Sequence, residues 1–125
     1  SSKTSIKLKT KNKKILVLVN KDLFEWVIEN IIKNSIDAIN QNGQISVELT
    51  DKKDDVLIDI IDNGKGVKKT LFKQIFQPGF TSKKRGWGLG LSLVKRIIED
   101  YHKGEVRLVK SIPNKETMVR ILLTK

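Results

Sequence analysis

Between Asp22 and Asn42 the apolar side chains recur every three or four residues, and directly after Gly43 they alternate with polar neighbours. The first spacing is typical of one face of an amphipathic helix, and the second of a half-buried strand. We therefore predict a helix over about residues 22–41, with Asp22 as its N-cap and Glu25 completing a capping box. A chain that makes this change so abruptly must combine helices and strands in one fold.

Strand-length apolar segments account for much of the remaining sequence. Residues 1–14 form a polar lead-in that contributes one edge strand, and the run up to Ile61 delivers Asp62 to the end of a buried strand. Helical and strand segments are interleaved without an internal repeat, which indicates a two-layer α+β arrangement. The predicted strands are residues 6–8, 15–19, 45–49, 56–61, 106–109 and 117–124, with a turn at Pro113-Asn114 joining the last two.

Composition excludes several classes of protein. A length of 125 residues, 38% of them hydrophobic, suits a single domain over 1–125. The sequence contains no apolar run of the roughly 20 residues that a membrane span needs, and its polar start does not resemble a signal peptide. With no cysteine and one histidine, a disulfide framework and a thiolate metal site are both excluded.

The formal charge of +11 is compatible with three kinds of anionic partner: nucleic acid, a membrane surface and a phosphorylated small molecule. The lysines are scattered along the whole chain, and Trp26 and Trp87 do not alternate with them as a base-stacking platform would. We interpret the charge as a solvated basic surface and expect no direct contact with nucleic acid.

A glycine-rich segment, Gly86-Trp87-Gly88-Leu89-Gly90, precedes a second amphipathic helix, which we expect to end at Gly104. Glycines let a phosphate approach the backbone, and a helix N-terminus offers free N–H groups to it. The alternative is that the glycines only permit tight helix packing.

The segment before the glycine-rich one, residues 67–85, contains one short helical candidate at 71–76. We predict that this segment is a mobile lid.

Two further groups of polar residues are candidates for chemistry. Asp62, followed by Gly64 and Gly66, could accept a hydrogen bond from the exocyclic amine of a base, although an aspartate before Asn-Gly also forms ordinary turns. Asn30 and Asn34 share an otherwise apolar helix face. The oxygen of Asn34 could bind Mg²⁺, and the alternative is an asparagine pair bonded to nearby backbone.

Taken in order, these segments resemble the nucleotide-binding boxes of the superfamily that joins gyrase, Hsp90, MutL and histidine kinases. The resemblance covers residues 15–125. It implies a Bergerat-type ATP-binding fold, a two-layer α/β sandwich whose mixed sheet packs against about three helices on one face. The matching segments are the N box in the helix 25–38, the G1 box Asp62-x-Gly64-x-Gly66, the F box at 72–80 and the G2 box at 86–91.

The same resemblance implies roles for individual residues, with ATP and Mg²⁺ as cofactors. Asn34 would coordinate Mg²⁺ and serve as the catalytic residue, and Asp62 would bind the adenine amine. Apart from the resemblance, cationic help with the phosphates could come from Lys83, Lys84 or Arg85 in the lid, with Lys83 ranked first; the alternative is that these side chains are simply solvated. The other residues expected to bind the nucleotide are Asn30, Gly64, Gly66, Gly86, Gly88, Leu89 and Gly90.

Asn30 indicates which branch of the superfamily the chain resembles. Gyrase, Hsp90 and MutL carry a glutamate base four residues before the metal asparagine, whereas this chain has an amide there, as histidine kinases do. Without that base, hydrolysis should be slow and the γ-phosphate is kept for transfer. The adjacent Glu29 should point about 100° away. The chain departs from the kinase pattern at Asp37, often a lysine, and at Trp87, often a threonine.

The only histidine, His102, lies near the end of a helix, and we interpret it as part of that helix terminus. The resemblance therefore implies a phosphoacceptor histidine on a separate dimerisation segment and, through the parent kinase, a response regulator. It implies a monomeric, cytoplasmic catalytic domain, whose parent protein could be a membrane-anchored sensor. The alternatives are a nucleotide-binding regulatory module without phosphotransfer and a basic nucleic-acid binder without a nucleotide pocket.

Overall fold

The fold is a five-stranded mixed sheet with helices packed on one face, as predicted. The computed structural model describes residues 4–10, 14–40, 42–80 and 90–125. The strand order is β1-β2-β3-β5-β4, in which β1 pairs parallel with β2 and the other neighbours are antiparallel. The elements are β1 (Thr4–Thr10), α1 (Lys21–Asp37), β2 (Gly43–Asp51), β3 (Asp55–Asp62), two 3₁₀ turns (Lys69–Leu71 and Gln74–Phe76), α2 (Gly90–Arg96) continued by a π-helical turn (Ile97–Tyr101), β4 (Glu105–Ile112) and β5 (Glu116–Thr124).

The core lies between the sheet and the helices. Alternate residues of β3 and β5 point toward α1 and α2. They pack against the apolar helix faces, on which side chains recur about every 3.6 residues. Each fully buried aliphatic side chain of this kind stabilises the fold by about 1.5–3 kcal/mol. The side chains with the least exposure are Val27, Ile31, Ile45, Val56, Ile60, Val94, Ile98, Ile121 and Leu123.

The structure corrects both predicted ends of α1. Its N-cap is Asn20 and not Asp22, because the Asn20 side chain accepts a hydrogen bond from the backbone N–H of Leu23 at 3.0 Å. The helix stops at Asp37, short of the predicted residue 41. The carbonyl of Ala38 accepts the N–H of Lys65 at 2.9 Å and so does not continue the helical ladder.

Three other local predictions also need correction. Residues 15–19 form an extended segment whose alternate side chains pack on the core, but they join no strand of the described sheet. The short helical candidate is a pair of 3₁₀ turns. At the end of the second helix the left-handed residue is Lys103, with φ 59°, and Gly104 follows it because a Cβ there would lie 2.3 Å from the Leu122 carbonyl oxygen. Among the described residues no helix is both long and apolar enough to cross a membrane.

The corrected N-cap leads to a comparison of two substitutions. We expect Asn20→Ala to lower the free energy of unfolding by about 1 kcal/mol, since the N–H of Leu23 loses its partner. Asp22→Ala, the matched control in the first turn, should cost only a few tenths of a kcal/mol through the helix dipole. Urea denaturation of both variants measures the difference, and an equal or larger loss for Asp22→Ala would contradict the assignment of the cap.

Candidate functional site

Asp62, the last residue of β3, lies on the helix-facing side of the sheet with only 6% of its surface exposed. Its Oδ1 accepts the N–H of Gly64 at 2.8 Å, and the hydroxyl of Ser35 on α1 also bonds to the carboxylate. Burial raises the pKa of the Asp62 carboxyl above its ordinary value, while these two hydrogen bonds act in the opposite direction. The site therefore contains a strongly desolvated acidic group held in a fixed orientation.

The loop that follows Asp62 is fixed at both sides. Lys65 donates its backbone N–H to the carbonyl of Ala38 at the end of α1, and Asn114 in the β4–β5 turn donates to the carbonyl of Gly64 at 2.7 Å. A Cβ on Gly64 would lie 2.7 Å from the Ala38 carbonyl oxygen. Only glycine permits this close approach, so the loop and α1 form one wall of the site.

Gly66 is the second glycine that the geometry requires. Its φ of 80° is in the left-handed region, and a Cβ there would lie 2.6 Å from Oγ of Ser111. Ser35, Ser111 and the buried Thr117, which pairs with Asp62 across the sheet, are polar residues of the site that the sequence did not reveal. Ser35 follows Asn34 directly, but its role becomes visible only when α1 is placed beside β3.

Asn30 and Asn34 both use their amide nitrogens within α1. Nδ2 of Asn30 donates to the carbonyl of Trp26 at 2.8 Å, and Nδ2 of Asn34 donates to the carbonyl of Asn30 at 3.0 Å. The alternative hypothesis for this pair, that both asparagines bond to nearby backbone, is therefore confirmed for the amide nitrogens. This bonding also fixes the amide planes, so that the oxygens are the atoms left for other partners.

The first residue of α2, Gly90, lies beside α1. A Cβ on Gly90 would be 3.7 Å from Oδ1 of Asn30, which places the start of α2 next to the first of the two asparagines. The structure therefore brings together Asn30 and Gly90 at one part of α1, and Asp62, Gly64 and Gly66 near its C-terminal end. The remaining predicted residues, Lys83, Gly86, Gly88 and Leu89, with Lys84, Arg85, Trp87 and the last part of the predicted lid (81–85), lie outside the described residues.

The donor set suits a magnesium ion that is held together with a ligand. Among the described residues no group of three or more histidine, cysteine or acidic side chains could bind a metal alone. An amide oxygen such as Oδ1 of Asn34 is a hard ligand, and Mg²⁺ usually takes one or two protein oxygens and completes its shell with phosphates and water. Asn34 fits that partial role.

His102 is a structural residue that links the two helices. Its Nε2 accepts the backbone N–H of Asn20 at 3.0 Å, and its Nδ1 lies 2.9 Å from the carbonyl of Ile97. With Nε2 as an acceptor, Nδ1 is left as the donor to the Ile97 carbonyl. The predicted place at a helix end is confirmed, and these two hydrogen bonds hold the side chain there.

Comparison with known proteins places this geometry among ATP-binding domains. The family model described as histidine kinase-, DNA gyrase B-, and HSP90-like ATPase matches residues 19–125. Sensor histidine kinase ZraS of Salmonella typhimurium (strain LT2) is 42% identical over 103 residues, which is 82% of this chain and 22% of ZraS. The chain thus spans about a fifth of the length of that relative.

Solved structures share the whole fold. The catalytic domain of histidine kinase ThkA, in a nucleotide-free form, superposes with a TM-score of 0.87 and 28% identity, covering 98% of this chain and 80% of that domain. ThkA in complex with the response regulator protein TrrA gives a TM-score of 0.83 and 26% identity, covering 98% of this chain and 34% of the ThkA chain.

The buried carboxylate predicts a stability that depends on pH. Because the folded-state pKa of Asp62 is raised, its ionisation reduces stability progressively as the pH rises from the ordinary value of 3.8 through that raised pKa. Asp62→Asn should therefore unfold at a higher temperature than the parent at pH 7 without nucleotide, and the gain should shrink as the pH falls toward 3.8, the ordinary aspartate value. Thermal denaturation between pH 4 and 8 measures it.

The control is Asp54→Asn at an exposed site in the β2–β3 turn, for which we expect no comparable gain. An Asp62→Asn variant that is less stable than the parent at pH 7 would show that the carboxylate is needed as an ion by the fold itself.

Proposed function

This chain belongs to the histidine kinase-, DNA gyrase B-, and HSP90-like ATPase family, and we propose that it is the catalytic domain of a sensor histidine kinase. It binds Mg-ATP and donates the γ-phosphoryl group to a histidine on a separate dimerisation segment. Residues 1–125 act as one monomeric, cytoplasmic domain. The observation that carries the proposal is the buried, oriented carboxylate of Asp62 beside an asparagine-bearing helix.

Recognition of the base falls to Asp62. One carboxylate oxygen is held by the N–H of Gly64, so the group can accept the exocyclic amine of adenine without reorienting. Gly64 and Gly66 let the loop pack closely against Ala38 and Ser111, which holds the loop beside this carboxylate. Guanine carries a carbonyl where adenine carries its amine, and two acceptors would then oppose each other. The site therefore favours adenine.

The start of α2 at Gly90 lies next to Asn30 on α1, and we expect the phosphates there. Oδ1 of Asn34 would hold Mg²⁺, which would offset the charge of the phosphate oxygens. We further infer that Gly86, Gly88, Leu89 and Lys83, which lie outside the described residues, would contribute to phosphate binding. Asn34 and α2 thereby orient the γ-phosphoryl group, and catalysis consists mostly of positioning.

Asn30, on the side of the site formed by α1, cannot act as a general base that activates water. An amide takes up no proton at neutral pH, and Nδ2 of Asn30 is already bonded to Trp26. Glu29 is exposed on another side of α1, as expected from its position in the helix. Hydrolysis is therefore unassisted from this position, and ATP persists until a protein nucleophile reaches it.

The transfer itself is a displacement at phosphorus. A nitrogen lone pair of the acceptor imidazole forms the P–N bond while the bond from the γ-phosphorus to the bridging oxygen breaks, and ADP leaves with that electron pair. The acceptor is followed by a response regulator, which we infer by analogy with the complex of ThkA and TrrA. The acceptor segment would belong to the parent kinase, and the response regulator would bind through that kinase.

Transfer of labelled phosphate to a supplied dimerisation segment tests the proposal. We expect the chain with Mg-ATP to label the acceptor histidine, and Asn34→Ala to lower the rate at least about tenfold, a loss of ~1.4 kcal/mol of transition-state stabilisation. The matched control is Asn40→Ala, an exposed asparagine beyond the end of α1, which should label the acceptor at the parent rate.

The same assay separates the second candidate function. Asp37 ends α1 as an exposed acidic residue where the kinase pattern often has a lysine, which favours a regulatory module that binds nucleotide without transfer. Tight ATP binding with no label on the acceptor would support that module and contradict the kinase.

His102 should not be the phosphorylated residue. Both of its ring nitrogens are committed within the fold, so neither offers a free lone pair to phosphorus. We expect His102→Gln to lose some thermal stability and still label the supplied acceptor below its melting temperature. Label retained on the parent chain and absent from His102→Gln would overturn this assignment.

A further inference from the structure

A row of polar side chains crosses three strands at the end of the sheet that carries the site. Asp62 on β3 pairs with Thr117 on β5, and Thr117 pairs with Ser111 on β4. The next row on the same face, Ile60 and Val119 with their neighbour on β4, is apolar. Polar groups buried in a sheet cost free energy unless they are bonded, so this row needs a reason.

Ser111 belongs to this row because of a β-bulge. The register of β4 against β5 shifts between Leu108 and Lys110. Without that shift, the alternation that buries Leu108 would turn Lys110 toward the helices and Ser111 toward the opposite face. The extra residue re-aims the strand, and bulges next to functional sites commonly act in this way. The fold thus interrupts its own pairing to turn a serine inward.

The inward hydroxyl joins two parts of the site. Oγ of Ser111 accepts the backbone N–H of Val67 at 2.8 Å and lies 2.8 Å from Oγ1 of Thr117. Val67 directly follows Gly66, whose missing side chain leaves the space that Oγ occupies. Ser111 therefore holds the point where the loop after Asp62 passes into residues 67–80.

Proton counting gives the chain of bonds a direction. Ser111 has one O–H to donate, and one of its lone pairs takes the N–H of Val67. If its own proton goes to Thr117, the Thr117 hydroxyl can donate onward, toward Asp62 or a ligand beside it. Donors aligned in one direction strengthen one another. The backbone at Val67 and the hydroxyl next to the base-reading carboxylate are then coupled through Ser111.

We propose that Ser111 is a positioning residue for base recognition, acting through Thr117 and through the backbone of Val67. The proposal rests on the function proposed above. The hydrogen bonds of the Ser111 hydroxyl go to these two neighbours, so its role is to orient the groups that recognise the base. It also couples base binding to the start of the segment that follows Gly66.

Calorimetric titration with ATP and with GTP tests the proposal in Ser111→Ala and Ser111→Thr. Removing the hydroxyl should weaken ATP binding about tenfold and GTP binding less, so that discrimination between the bases narrows. Ser111→Thr keeps the hydroxyl on a strand that accepts β-branched residues, and it should restore both. The matched control is Ser46→Ala on the opposite face of β2, which should change neither affinity.

Three results would decide against the proposal. A Ser111→Ala variant with the parent ratio of ATP to GTP affinity would show that the hydroxyl does not influence base reading. Ser111→Thr as weak as Ser111→Ala would show that packing and not the hydroxyl matters. A parent chain that binds no ATP would refute the proposed function itself, and this inference with it.

Hydrogen exchange keeps the test valid if Ser111→Ala does not fold. In the parent chain the amide of Val67 should exchange slowly, and more slowly still when ATP is bound, because its bond to Ser111 is part of the site. A Val67 amide that exchanges as fast with ATP as without it would contradict the coupling.

Discussion

The buried carboxylate of Asp62 is the group on which the rest of the site depends. A desolvated charge is costly, so the surrounding structure must supply bonds that hold it, and the N–H of Gly64 and the hydroxyl of Ser35 do so. The first bond fixes the loop after β3, and the second fixes α1 against the sheet. Because burial raises its pKa, ionisation of this carboxylate opposes folding of the ligand-free domain at neutral pH. A buried acidic group that lowers stability in this way is typical of a ligand-binding or catalytic site.

The helix α1 combines a structural and a functional role along its length. Val27 and Ile31 anchor it to the sheet, while Asn30 and Asn34 satisfy their amide nitrogens on the helix itself. Their oxygens can then face a ligand without leaving a buried donor unpaired. The amide of Asn30 meets a donor requirement within α1 itself, through its bond to the Trp26 carbonyl.

The elements that were predicted correctly are those in which local pattern and tertiary structure agree. The alternation of β2 and β3 placed Asp62 at a strand end, and helical spacing placed Asn30 and Asn34 on one face of α1. The errors arose where a distant contact decides the outcome. His102, far along the chain, bonds to the backbone of Asn20, and Lys65 bonds to the carbonyl of Ala38 where α1 ends. The bulge that turns Ser111 inward depends on pairing with β5. No spacing in the sequence records such contacts, so the polar row across the sheet could not be predicted.

We propose that Asp62 and Asn34 divide the nucleotide between them, Asp62 recognising adenine and Asn34 holding the metal. Calorimetric titration with a non-hydrolysable ATP analogue, with and without Mg²⁺, tests it directly in the parent chain, Asp62→Asn and Asn34→Ala. We expect Asp62→Asn to abolish measurable binding in both conditions, whereas Asn34→Ala should retain metal-free binding and lose the gain in affinity that Mg²⁺ gives. Equal affinity of the folded parent and Asp62→Asn would contradict it.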